Sequence, residues 1–192
     1  MLMRLSSAGM AMVSLLLAEP LPARTIFPPI GYLKHGGSWD NHCPQDKFLV
    51  GFRGRWVGRF RSLKIVCASI SSTGARGALW YGPEHGQSGG DYQEFSCPHD
   101  SAIMGLKVSQ LFYQGGFVGI DGLTGLCVSR VNGALTTFTV GAGYHTARPE
   151  ISGSSYPQRC PTGESGSGIN GRSTGNTGIL AVGFDCAVRR PS

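Results

Sequence analysis

The chain is poor in charge, and poorer still in acid: 15% of its 192 residues are charged and only 11 are Asp or Glu. So few carboxylates leave no acid–base pair that can be named for glycoside chemistry. The histidines, His35, His42, His85, His99 and His145, lack the His-x3-His or similar spacing of a zinc site. The glycine-rich run 163–178 has no Lys-Ser/Thr behind it and is not a phosphate loop. One Gly-x-Ser-x-Gly match, Gly86-Gln87-Ser88-Gly89-Gly90, sits in a glycine-rich lead rather than at a strand-to-helix turn. No window carries a 3.6-residue apolar period, which excludes long amphipathic helices, and no stretch is apolar for the ~20 residues of a membrane span. No cofactor or metal is expected.

What is present is glycine (30), proline (11) and short apolar runs, the composition of strands and turns. The first residues read differently. Arg4, an apolar stretch over 8–18, Pro20, Pro22 and then Ala23 have the layout of a secretory signal peptide, residues 1–23. A secreted or periplasmic location follows, and in an oxidising compartment six Cys read as disulfides. A net charge of +6 biases an exported protein towards polyanions; nucleic acid is not an expected partner there.

The strongest signal is a threefold repeat. Cys43-Pro44, Cys97-Pro98 and Cys160-Pro161 are each followed, eight positions after the Cys, by Gly51, Gly105 or Gly168 and then an apolar residue, and each window closes on Cys67, Cys127 or Cys186. Seven positions before the closing Cys stand Phe60, Ile120 and Ile179; four before it stand Leu63, Leu123 and Val182; two before it stand Ile65, Gly125 and Phe184. Each Cys-Pro is preceded by a small-residue lead ending in an aromatic: Trp39, Tyr92 or Tyr156, four or five residues upstream.

Period-2 patterns make each window a strand pair. Ala102, Met104, Leu106 and Val108 alternate with Ile103, Gly105, Lys107 and Ser109, and Leu63, Ile65 and Cys67 with Ser62, Lys64 and Val66. The repeat favours the bridges Cys43–Cys67, Cys97–Cys127 and Cys160–Cys186; a shifted scheme (Cys67–Cys97, Cys127–Cys160, Cys43–Cys186) is the alternative. Connectors supply further strands, and residues 26–33 either serve the first unit or close a ring with the last. The repeats span about 36–86, 87–148 and 149–190 of a single domain, 24–192. No unit buries a core alone, so the three pack around a shared pseudo-threefold axis.

This order of motifs resembles the vitelline membrane outer layer protein I family. The resemblance implies an all-β fold, a β-prism of three pseudo-three-fold related antiparallel sheets with one disulfide per repeat, the architecture of jacalin-type lectins. It also implies association with carbohydrate-rich extracellular matrices. One element is missing: where the family carries an acidic stretch before the closing strand, this chain has Val57-Gly58-Arg59, Phe117-Val118-Gly119 and Asn176-Thr177-Gly178. No role of those carboxylates carries over.

Three groups are candidate binding residues. Trp39 and Tyr92, with Asp40 and Asp91 beside them, offer an aromatic face and hydroxyl acceptors; the competing reading packs the aromatics into the core. The second window is the longest, and its surplus around Phe112 and Tyr113 reads as an aromatic loop. Arg53, Arg55, Arg59 and Arg61 around Trp56 and Phe60 form a basic patch suited to carboxylate, sulfate or phosphate, or else an ordinary solvated edge. The expected function is a non-catalytic, lectin-like module binding glycans or an anionic cell-envelope polysaccharide. A protein-interaction or structural component of an extracellular layer, with an extracellular protein as partner, is the second reading, and a glycan-active enzyme the third.

Overall fold

A computed structural model describes residues 24–114, 116–141 and 156–189. Residues 1–23, the expected signal peptide, lie outside them. Among the described residues fourteen strands form three antiparallel sheets: β1 (Arg24–Ile26), β2 (Ile30–Gly31), β3 (Gly37–His42), β4 (Phe48–Trp56), β5 (Phe60–Ala68), β6 (Trp80–Tyr81), β7 (His85–Gly86), β8 (Asp91–Ser96), β9 (Ser101–Tyr113), β10 (Gly116–Ser129), β11 (Leu135–Val140), β12 (Tyr156–Arg159), β13 (Glu164–Thr174) and β14 (Gly178–Val188). The fold is the expected all-β prism.

Each Cys-Pro window supplies one central hairpin, β4–β5, β9–β10 or β13–β14. The lead strand of each repeat pairs not with its own hairpin but with the preceding one: β8 with β4, β12 with β9, and β3 with β13. Connectors fill the opposite edge: β6 and β7 on β5, β11 on β10, β1 and β2 on β14. Residues 26–33 therefore close the ring with the last unit. The same crossing shows in the cysteines, whose N–H groups donate at 2.8 Å to the preceding unit: Cys43 to Ser167 O, Cys97 to Val50 O, and Cys160 to Met104 O. A β-turn follows each Cys-Pro, with Lys47, Ser101 and Glu164 N–H donating to Pro44, Pro98 and Pro161 O.

The bridges are Cys43–Cys67, Cys97–Cys127 and Cys160–Cys186, as the repeat favours. Equivalent positions of the three closing strands fill the interior: Phe60, Ile120 and Ile179, then Leu63, Leu123 and Val182, all fully buried. In the next set Ile65 and Phe184 are joined by Gly125, where a Cβ would meet the Phe138 ring at 2.4 Å. The side chain missing from that position of repeat two is thus replaced by an aromatic from the neighbouring edge strand.

The alternation fails in two places. Along β9 a register shift opposite Leu126 and Cys127 brings Ile103, expected on the outer face, fully buried into the main core with Leu106 and Val108. Val66, expected on the outer face, is fully buried with Phe48, Val50, Ala68, Ile70 and Ala102 in a second small cluster. The connector after β5 folds back there, bridged at Ile70 and Arg76, and covers that stretch of sheet. Arg76 then donates to the carbonyls of Cys97, Pro98 and Ser101, and Arg189 does the same for Cys43 and Pro44. Pro44 O and Pro98 O, which already accept the turn N–H groups, and the carbonyls of Cys43, Cys97 and Ser101 thus gain donors from distant segments.

Candidate functional site

The register of the first sheet gathers its polar side chains on one outer face. Along β4, Phe52 and Gly54 are buried, so Arg53 and Arg55 both point outward. Arg53 lies opposite Lys64 on β5 and Glu94 on β8; Arg55 lies opposite Ser62 and Tyr92. Tyr81 of β6 and Glu84, from the loop before β7, complete the group.

The arrangement is tightly interlocked. The Arg55 guanidinium carbon stands 4.0 Å from the Tyr92 ring centre and that of Arg53 stands 4.6 Å away. The Lys64 ammonium is 5.6 Å from Tyr81 and 5.7 Å from Tyr92. These are cation–π distances. The Tyr92 hydroxyl donates to Glu84 at 2.9 Å, the Tyr81 hydroxyl to Glu94 at 3.1 Å, and Ser62 Oγ donates to Glu84. Burial pushes the Glu84 pKa up, but the Ser62 and Tyr92 hydroxyls with Lys64 and Arg55 outweigh it and hold the carboxyl below its usual value. Burial and Glu94 together raise the Tyr81 phenol. Tyr92 is 43% exposed and Tyr81 38%, so both rings face solvent while anchored.

Arg55 and Tyr92 are therefore brought together, with Trp56 and Asp91 register partners at the end of the same pair of strands. Trp56 is half-buried against the core and its indole N–H donates to Asp121 O at 3.3 Å. Arg59 leaves the patch: from the β4–β5 turn it reaches Val118 O at 3.1 Å, tying two sheets together. Burial, then neighbouring Arg61, lowers its pKa.

Trp39 lies elsewhere. It is 91% buried by its 9% exposure, sits opposite Gly171, where a Cβ would meet its indole at 2.5 Å, and stacks on His85 at 4.7 Å and 6°. The difference from Tyr92 comes from a single residue. Trp39 is four positions before its Cys and Tyr92 five, and one residue along a strand moves a side chain to the opposite face. Asp40 is on the outer face of the third sheet, accepting from His42 Nε2 at 3.0 Å, beside the fully buried Asp185, which accepts from Arg24 and Asn170. Phe112 is half-buried and meets Phe117 edge-on at 5.9 Å, while Phe117 stacks on Tyr32 at 5.8 Å. The surplus of repeat two is thus mostly lengthened hairpin. Tyr113 ends β9, and its side chain lies outside those described.

Sequence reasoning missed Lys64, Tyr81, Glu84 and Glu94. A signal existed for two of them: Arg53-x-Arg55, Ser62-x-Lys64 and Tyr92-x-Glu94 each place two polar residues on one strand face. The strand order that brings those faces together was not available from it. Among the described residues no three His, Cys, Asp or Glu side chains converge to hold a metal ion, and no helix is long and apolar enough to cross a membrane.

The His85 stack carries a pH prediction. Burial lowers the His85 pKa, and Asp40 offsets only part of this. A group lowered on folding favours the neutral form, so its stabilisation is full above the unfolded pKa of about 6.5 and declines as pH falls below it. The melting temperature is expected to fall between pH 7 and pH 5, and His85→Phe, which keeps the stack, should flatten part of that slope in calorimetry. An unchanged slope would remove His85 as its source.

No protein-family model matches the chain, and no curated protein sequence matches it. Solved structures do. It is similar to Malaysian banana lectin (TM-score 0.56, 16% identity, 89% of this chain and 99% of the lectin), to single-chain recombinant jacalin (0.58, 16%, 88% and 98%) and to artocarpin in complex with mannotriose (0.58, 14%, 87% and 98%). Three antiparallel sheets, in an order that passes each lead strand to the preceding hairpin, make this chain a jacalin-like β-prism.

Proposed function

We propose that the protein is a secreted, non-catalytic, lectin-like module that binds glycans through the outer face of its first sheet. The observation that carries this reading is the pair of half-exposed rings, Tyr92 and Tyr81, held in place among Arg53, Arg55, Lys64, Glu84 and Glu94. An aromatic face ringed by charged donors and acceptors suits a sugar, which has apolar C–H faces and a rim of hydroxyls. The mannotriose bound to artocarpin, a protein of the same fold, supports the class of ligand. Three disulfides support an oxidising compartment, with residues 1–23 as the export signal and 24–192 as one domain. Kinship with the vitelline membrane outer layer protein I family is part of this reading and rests on the Cys-Pro repeat.

The test is a glycan array and polysaccharide pull-down with the disulfide-intact protein. Binding is expected, weakened roughly two- to tenfold by Tyr92→Ala through loss of the ring contact. No ligand at millimolar concentration, or a stoichiometric protein partner captured without sugar dependence, would overturn it.

A further inference from the structure

The carboxylates on this face do not satisfy its cations. Glu84 accepts from Ser62 Oγ and Tyr92 Oη, and Glu94 accepts from Tyr81 Oη. The cations meet the same carboxylates only at arm's length: Arg53 Nη1 at 3.5 Å from Glu94, and Arg55 Nε at 3.6 Å and Lys64 Nζ at 3.8 Å from Glu84. Those lengths are at or beyond the limit of a hydrogen bond. Arg53 Nε is buried with no hydrogen-bond partner. Arg55 Nη1 donates to one backbone acceptor, Gly90 O at 3.3 Å. The face therefore carries three cations that its two carboxylates pair with only loosely.

We infer that this face seats the anionic group of an acidic sugar, a carboxylate or sulfate, on Arg53, Arg55 and Lys64, with the sugar ring against Tyr92. This rests on the glycan-binding reading above and names its ligand class. A neutral sugar's hydroxyls would have to share the two carboxylates with the hydroxyls of Ser62, Tyr81 and Tyr92. An anion brings acceptors alone, and so meets the loosely paired cations directly. Arg53 and Arg55 are alternate residues of β4, roughly 7 Å apart along the strand, so one planar anion or two oxygens of a branched one can engage both. Glu84 and Glu94 flank the seat and reduce three cations to a local charge of +1. That screening favours a single well-placed anion over a continuous phosphate backbone.

The experiment uses the disulfide-bonded chain from residue 24 and three probes: polygalacturonate (carboxylate), dextran sulfate (sulfate) and unmodified dextran (neutral), measured by titration calorimetry and on the array. Binding to one or both acidic polymers is expected, weakening as NaCl rises from about 50 mM to about 500 mM. Comparison of the two acidic arms identifies the anion. The double variant R53Q/R55Q should lose binding about a hundredfold, since each charge-assisted hydrogen bond is worth roughly a factor of ten. R53K/R55K, which keeps the charge but not the fork, should recover part of it, and both variants should stay folded, melting within a few degrees of the parent. If neutral glycans bind as tightly as acidic ones, or if R53Q/R55Q leaves acidic binding unchanged, the acidic-sugar seat is wrong while glycan binding stands. If no polymer and no arrayed glycan binds, both fall.

Discussion

Reduced with excess dithiothreitol, the protein is expected to lose its cooperative thermal transition and to be unfolded at 37 °C. The bridges close loops of 24, 30 and 26 residues. In the chain-entropy model each such loop contributes roughly 3–4 kcal/mol, and the three together match the 5–15 kcal/mol that typically holds a whole domain folded. The topology adds to this. Because every lead strand pairs with the preceding hairpin, no repeat holds a complete sheet by itself, and loosening one Cys-Pro turn detaches a strand from its neighbour. The single pair C97S/C127S should lower the melting temperature by roughly 10 °C. Circular dichroism melts with and without reductant measure both effects. A reduced chain that melts within a few degrees of the oxidised one would show that the sheets hold without the bridges.

Trp39→Ala and Tyr92→Ala should differ sharply although the two residues occupy the same place in the repeat. Trp39 is buried against Gly171 and His85, so truncation should cost about 3–5 kcal/mol, the usual range for a large aromatic removed from a core. Tyr92 is 43% exposed and contributes a hydroxyl contact and cation–π contacts at the surface, so its loss should cost about 1 kcal/mol. Urea unfolding of the two variants decides it. Equal losses would mean that the one-residue offset does not turn the two side chains to opposite faces.

That pair also shows how far the sequence reaches. The threefold Cys-Pro windows, the strand pairs, the bridges and the interior positions Phe60, Ile120, Ile179, Leu63, Leu123 and Val182 were legible because spacing and period-2 alternation are local properties of one strand or one loop. Even the offset that separates Trp39 from Tyr92 was printed there, as four residues against five, although its meaning depends on which strand lies alongside.

Strand order was decided elsewhere. Nothing in the spacing of β8 says that it pairs with β4 rather than β9, yet that choice sets Tyr92 over Arg55 and Glu94 beside Arg53. Glu84 and Tyr81 reach the same face from a connector with little pattern of its own, and Val66 is buried only because another connector folds back over it. The sequence by itself determined the repeat and its hairpins and favoured the disulfide pairing that the structure adopts. Only the tertiary structure decided the candidate site, because a charged face assembled from four separate segments exists only once long-range pairing has chosen their neighbours.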